Sequence, residues 1–282
     1  MTEKIIFLIV LYNKKIDEST TVKTLLDSSS VLDVKIIIHN NGPDDITLPL
    51  SVFNAFRKKG ADIELVNCTQ NKPLSILYNE FIFFNSDYDK YILFDDDSVI
   101  TNAFVEQVYS TDYDLLLPKI TSIKDRQTYY PIIDEVVITD DKFLPVKRVF
   151  SIGSGLIFTK VFLDKFSKHS LKPFDESFAL YGVDFSLFRR MCRLESKGEK
   201  FKIKSAGQIL HSLSRTEGKE TKFRREERLI DFSLTTRHYP SFVQIYRFFK
   251  KSIKEVLCLR VRNLYVMYES FFHGSHPRCR IK

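Results

Sequence analysis

Four apolar runs, each closing on a polar turn and separated by segments of helical spacing, constrain this chain more than any other feature. Ile5-Ile-Phe-Leu-Ile-Val-Leu11 is apolar throughout and ends in Tyr12-Asn13. A run without polar alternation predicts a strand buried on both faces, as in a parallel sheet. Residues 19–28 follow with Val22, Leu25 and Leu26 at helical spacing, and Val34-Lys-Ile-Ile-Ile38 is a second run closed by His39-Asn-Asn-Gly42. Strand, helix, strand and turn make a βαβ unit. The pattern repeats with a helix over 52–59, a strand over 63–66, a helix over 74–84 after Pro73, and the strand Tyr91-Ile-Leu-Phe94. In open α/β sheets ligands collect outside the carboxyl ends of the strands, so Tyr12-Asn13, Asn40-Asn41 and Asp95-Asp96-Asp97 are expected on one rim.

Beyond that point the spacing predicts a helix over 101–109 and a strand over 114–118. Residues 122–149 read as irregular or hairpin structure, with alternation in Glu135-Val-Val-Ile-Thr. A second layer follows: Gly153-Ser-Gly-Leu-Ile-Phe158, helices over 159–167 and 184–198, and a strand ending at His211. From residue 222 the chain is helical, aromatic and basic. The 282 residues, 44% of them hydrophobic, suffice for one large α/β domain with an appendage. The expected division is a main domain over 1–221, in halves 1–100 and 101–221, and an extension over 222–282.

Composition excludes some classes. Four widely spaced cysteines without a CxxC pair argue against a disulfide scaffold or a structural zinc site. The run from Ile5 is far shorter than the roughly 20 residues a membrane span needs, and no cleavage signature follows it, which predicts a cytosolic protein. Net charge is +7 and the basic excess gathers from Arg215 onward, compatible with nucleic acid, anionic lipid or a phosphorylated substrate. No nucleic-acid-binding module is recognisable.

Phe94-Asp-Asp-Asp-Ser98 puts three acids directly after an apolar strand, where Asp95 and Asp97 share a side if the extended geometry persists. Two such carboxylates make a hard oxygen site for Mg²⁺ or Mn²⁺, which can bridge a nucleotide diphosphate. The competing reading is a solvated acidic turn. Position at a strand's carboxyl end beside two polar turns favours the metal. Asn40 and Asn41 offer amides to a base or ribose, or form an ordinary Asn-Gly turn with Gly42. Asn71 and Asn79 flank the start of a helix, as a polar floor for a sugar nucleotide or as parts of a capped helix. Asp184, at a helix start, is either an N-cap or a general base for a sugar hydroxyl. His211 is either a structural hydrogen-bonding residue or a metal ligand.

Taken in order, these segments resemble the family 2 glycosyltransferases of GT-A fold, especially bacterial rhamnosyltransferase-like members that build surface polysaccharides such as O-antigen, the polysaccharide part of lipopolysaccharide, or capsule. The matching stretches are Val10-Leu-Tyr-Asn13, Asn40-Asn-Gly42, Asn71 to Asn79, Leu93-Phe-Asp-Asp-Asp-Ser98, Gly153-Ser-Gly-Leu-Ile-Phe158, Tyr181-Gly-Val-Asp184 and His211-Ser-Leu-Ser214. The resemblance implies an α/β GT-A fold: a Rossmann-like, mostly parallel sheet with helices on both faces, here with a C-terminal helical extension. It implies Asp95 and Asp97 as the acids of the DxD motif, with Asp97 favoured as direct ligand and His211 as a further metal or diphosphate ligand. Leu11, Tyr12, Asn13, Asn40, Asn71, Asn79, Asp95, Asp96 and Gly155 become the expected nucleotide-sugar contacts. Asp184 becomes the catalytic base of an inverting transfer from a UDP- or dTDP-sugar to a saccharide acceptor, including one carried on a polyprenyl diphosphate. Two departures stand out: Asn40 occupies a place where many relatives have Asp, and Val183 precedes the base where an acid is common.

The rival enzyme class is a sugar nucleotidyltransferase. Its glycine-rich phosphate loop is missing from Tyr12-Asn-Lys-Lys-Ile-Asp17. A non-catalytic sugar- or lipid-binding module has no need of three strand-end acids plus Asp184. The tail mixes Tyr246, Phe248, Phe249, Tyr265, Tyr268, Phe271 and Phe272 with Lys250, Lys251, Lys254, Arg260 and Arg262. It reads either as a basic amphipathic surface lying on the inner face of the cell membrane or as helices packed on the catalytic domain.

Overall fold

The computed structural model describes residues 3–28, 32–213 and 221–280. Ser214 and the onset of the basic segment at Arg215 lie outside the described residues. In chain order the elements are β1 (Ile5–Leu11), α1 (Thr20–Asp27), β2 (Lys35–Asn40), α2 (Leu50–Lys58), β3 (Asp62–Asn67), α3 (Leu74–Phe84), β4 (Lys90–Asp95), β5 (Ser98–Ile100) and α4 (Asn102–Val108). Next come β6 (Leu115–Ser122), β7 (Thr128–Tyr130), β8 (Ile132–Ile133), β9 (Val136–Val137), β10 (Lys142–Leu144), β11 (Val149–Phe150) and β12 (Ile157–Thr159). The chain continues through α5 (Lys160–Ser167), α6 (Val183–Glu195), β13 (Ile203–His211), α7 (Lys222–His238), α8 (Phe242–Leu257) and α9 (Val261–His273).

The main sheet runs β10-β13-β6-β12-β4-β1-β2-β3, with β5 added on β13 and β7 on β6. Strands β3, β2, β1 and β4 are mutually parallel, and the continuous apolar sequence of β1 suits a strand buried on both faces, whereas β3, at the end of the sheet, is partly exposed. Chain order reverses beside β1, since β2 and β3 lie on one flank and β4 on the other. This is the switch point at which open α/β sheets bind ligands. Beyond β4 the sheet becomes mixed: β12 is antiparallel to both β4 and β6, while β13 is parallel to β6. The span 122–149 is hairpin structure, and the alternation around Glu135 yields only the short β9 in a small sheet with β8 and β11.

The chain forms two compact units that do not follow its order. One comprises Met1–Asn71, Phe81–Pro173 and Arg190–Glu217, and the other Lys72–Glu80, Phe174–Arg189 and Gly218–Lys282. The first holds all the strands among the described residues. Its core is aromatic: Tyr91 stacks on Phe158 at 5.7 Å, and Phe94 meets Phe7 at 5.8 Å and Phe104 at 5.5 Å. Such offset and edge contacts add to the burial of large rings. Strand β13 carries a bulge between Ser205 and Gln208. Gly207 sits there at φ +71°, where a Cβ would stand 3.1 Å from Phe104 Cα and 3.2 Å from Ala103 O. Glycine thus lets the bulged strand pass the start of α4 and bend its last residues toward β5.

In the second unit α7, α8 and α9 pack around Phe248, whose ring lies 5.9 Å from Phe232, 5.5 Å from Tyr268 and 5.1 Å from Phe271. Asn79, on α3, ties in residues 174–176: its Nδ2 donates to Phe174 O at 2.9 Å and Glu176 Oε1 at 3.2 Å, and its Oδ1 accepts from Phe174 N at 3.1 Å.

Candidate functional site

Strand β4 ends at Asp95, and the extended geometry stops there. Asp96 and Asp97 form a turn that leads directly into β5. The cause lies in α1. Thr21 Oγ1 donates to Asp95 O at 2.5 Å and accepts from Ser98 N at 3.0 Å, so one hydroxyl holds both ends of the acidic turn. Ser19 Oγ and Thr21 N donate to Asp96 O at 3.0 and 3.2 Å. Asp95 and Asp97 therefore come together through a turn clamped from the neighbouring helix start, not through strand alternation.

Antiparallel pairing of β5 with β13 puts His211 opposite Ser98. The imidazole is buried, with Nδ1 2.9 Å from Ser98 Oγ and 3.2 Å from Asp97 Oδ1, and Nε2 3.8 Å from Asp95 Oδ2. Ser98 Oγ is itself 2.7 Å from Ser154 Oγ, and Ser154 Oγ accepts from Asp95 N at 3.2 Å. Ligand atoms of Asp95, Asp97 and His211 all lie within 4.8 Å of one another.

The electrostatics are those of crowded negative charge. Burial pushes the Asp97 carboxyl up to about 6, His211 draws it back, and Asp95 and Asp96 add to the rise. Asp95 is raised by burial first, again with His211 opposing and Asp96 adding. Asp96 points elsewhere, to a 2.7 Å ion pair with Lys14. Burial works against the Lys14 charge, but Asp96, through a hydrogen bond and its field, lifts the ammonium pKa overall. Although His211 Nδ1 stands 3.2 Å away, Asp97 Oδ1 is buried and has no hydrogen-bond partner among the described residues. An oxygen in that position beside a second carboxylate and an imidazole fits a divalent cation. Asp95, Asp97 and His211 are the residues that would hold it.

The other expected contacts fall into distinct roles. Leu11 is fully buried and meets the rim only through its backbone, with Leu11 O accepting from Asn41 N at 2.7 Å. Tyr12 is 50% exposed just beyond β1, and Asn13 adopts φ +53° with its N–H on Gly42 O at 2.7 Å. Asn40 is buried and engaged in its own loop: Nδ2 donates to Asp44 O and Asn67 Oδ1, both at 2.7 Å, and Oδ1 accepts from Gly42 N at 3.1 Å. Its side chain ties the ends of β2 and β3 together. Asn71 sits at φ +47° ahead of α3. Gly155 serves packing, since a Cβ there would stand 2.7 Å from Pro118 Cγ and 2.9 Å from Ile209 Cδ1.

Asn79 and Asp184 belong to the second unit. Asn79 spends its amide on the 174–176 segment. Asp184 is in the first turn of α6, which begins at Val183, so it lies inside the helix instead of capping it. An acid there suits the positive end of the helix. Gly182 precedes it at φ +80°, packed against Phe178 and Asp231 with no room for a Cβ. Sequence reasoning missed Thr21, Ser154 and Lys14 as parts of the site. Ser154 lies in one of the matching stretches, but no role could be read for it, Thr21 or Lys14, because each acts on a residue distant in the chain.

No protein-family model matches the chain, and no curated protein matches it. Solved structures match in fold. Residues 1–349 of S. aureus TarS align at 10% identity with a TM-score of 0.51, over 97% of this chain and 93% of that one. The same region solved in complex with UDP-GlcNAc aligns at 11% identity and a TM-score of 0.50, over 96% of this chain and 73% of that one. Against a longer TarS chain the TM-score is also 0.50 at 10% identity, and the match spans 44% of the TarS length. The likeness is one of fold: a GT-A-like α/β sheet followed by a helical C-terminal region.

Proposed function

We propose that the chain is a metal-dependent, inverting glycosyltransferase that moves a sugar from a nucleoside diphosphate donor to a saccharide acceptor. The observation that carries this reading is the Asp95, Asp97 and His211 cluster at the carboxyl end of β4, beside the switch point of the sheet. TarS, similar in fold, was solved with UDP-GlcNAc, so UDP-sugars are the first donors to try. When bound, Mn²⁺ or Mg²⁺ offsets charge on the donor diphosphate. The imidazole in the donor set favours Mn²⁺, because Mg²⁺ prefers oxygen ligands throughout.

The protein's own groups divide the remaining work. Ser98 fixes the imidazole, and Thr21 fixes the turn that carries both acids. Lys14 takes up Asp96, leaving Asp95 and Asp97 for the cation. Tyr12 and Asn13 border the nucleotide from the end of β1. Asp184 accepts the acceptor hydroxyl's proton as that oxygen bonds to the anomeric carbon and the carbon–oxygen bond to the diphosphate breaks on the opposite face. The resemblance in the motifs extends this to bacterial surface polysaccharide, with the acceptor saccharide on a polyprenyl diphosphate at the inner face of the membrane.

The test is incubation with a panel of nucleotide sugars, with and without Mn²⁺, following donor hydrolysis and transfer. Activity is expected to need the metal and to fall by about 10²-fold or more in Asp97→Ala and Asp184→Ala, the scale set by loss of a charge-stabilising or proton-accepting group. Transfer that survives both substitutions would remove these residues from the mechanism.

A further inference from the structure

Helix α8 is packed with its less apolar side inward. Toward α7 and α9 it presents Gln244, Phe248, Ser252 and Glu255. Gln244 Nε2 donates to Thr236 Oγ1 at 3.2 Å, and Glu255 Oε2 accepts from Asn263 Nδ2 at 2.7 Å. Phe248 is the one large apolar side chain on that side.

The opposite sector holds Phe242, Ile245, Tyr246, Phe249, Ile253 and Leu257, which recur every three or four residues and so line one stripe. All are exposed, Phe242 at 90%, Phe249 at 58%, Ile253 at 60% and Leu257 at 78%. A contiguous stripe of this size marks a surface that is covered in use. Along one edge of it run Arg247, Lys250 and Lys254, all exposed.

The charges decide what covers it. Glu255 is the only acid in α8, and it is fully buried and held by Asn263 and by Lys251 at 2.9 Å. A second copy laid on this stripe would therefore bring cations against cations with no acid of α8 between them. An anionic surface with an apolar interior matches both sectors: acyl chains take the rings and branched side chains, and the long basic side chains extend to the headgroups. Among the described residues no helix is long and apolar enough to cross a membrane. That leaves contact in the plane of the interface.

We propose that α8 is an interfacial helix that seats its apolar stripe in an anionic lipid bilayer, with Arg247, Lys250 and Lys254 at the headgroup level. The inference is independent of the transferase reading.

The test uses the 282-residue chain and vesicles of phosphatidylcholine alone or mixed with phosphatidylglycerol, in flotation at low and high salt. Binding to the mixed vesicles is expected to be at least about ten-fold tighter than to neutral ones and to weaken with salt. Phe249→Glu with Ile253→Glu is expected to abolish it, and Lys250→Glu with Lys254→Glu to remove the preference for the anionic lipid. Since these side chains are exposed, circular dichroism and the melting temperature should stay unchanged. Phe242→Ser, at the first residue of the helix, serves as a milder second variant expected to weaken binding without touching the helix interior. Three results would overturn the proposal: no vesicle association by the full chain, association indifferent to both apolar variants, or a sedimenting dimer that Phe249→Glu with Ile253→Glu dissolves.

Discussion

Asp97 is under opposed demands. As a ligand it must be ionised, yet burial raises its pKa to about 6 from an ordinary 3.8. A folded-state pKa above the unfolded one means that the native state holds more protons between those values, so stability falls as pH rises through that window. Above about pH 6 the full penalty is present, on the order of 2 kcal/mol after allowing for partial solvent exposure. Asp97→Asn should therefore melt higher than the parent protein at pH 7.5 in chelator, with the gap closing toward pH 4. Adding Mn²⁺ should raise the melting temperature of the parent and leave the variant unmoved. A variant no more stable than the parent in chelator at pH 7.5 would show that the carboxylate carries no such strain. Residue identity at this place was legible from three acids after an apolar strand. Its charge state was not, because the desolvating neighbours and His211 come from elsewhere in the chain.

At the scale of elements, the acidic turn between β4 and β5 is held by the first turn of α1. Thr21→Val keeps the shape of the side chain and removes the hydroxyl that serves Asp95 O and Ser98 N. It leaves a buried N–H and a carbonyl without that partner, at a cost of about 1–3 kcal/mol. The same loosening is expected to lower Mn²⁺ affinity roughly ten-fold, as losses of groups that orient metal ligands do. Thermal unfolding and a Mn²⁺ titration measure the two effects, and an unchanged affinity would confine Thr21 to stability. The helices and strands themselves were legible, since α1, α3 and β1 fall where the apolar spacing predicts them. The short β5 was not. Its sequence, Ser98-Val-Ile100, looks like an exit from the acidic turn and becomes a strand only because β13 offers it an edge.

At the scale of the molecule, one ring organises the helices that follow the sheet in sequence. Phe248→Ala should cost about 3–5 kcal/mol in denaturant unfolding and lower amide protection across α7, α8 and α9. Phe249→Ala, one residue on and exposed, should stay within about 0.5 kcal/mol of the parent. Equal costs would mean that the two faces of α8 are packed alike. From sequence the tail was legible as helical, aromatic and basic, with its apolar face open to two readings, laid on a membrane or packed on the catalytic domain. The hydrogen bonds of Gln244 and Glu255 and the rings around Phe248 turned the apolar stripe of α8 outward, and those partners lie on other helices. The alternation of strand and helix, the parallel half of the sheet and the position of Asp95, Asp96 and Asp97 at a strand end are all legible in the residues alone. Continuous apolar runs and helical spacing are local properties, readable in a window of a few residues. His211 was already a candidate ligand in the sequence, but its place beside Asp95 and Asp97, across 113 residues from the Ser98 that holds it, comes from the fold. That meeting depends on a bulge, a glycine at positive φ and an antiparallel register between distant strands, and a long-range register is set by the packing of the whole sheet, not by any one segment.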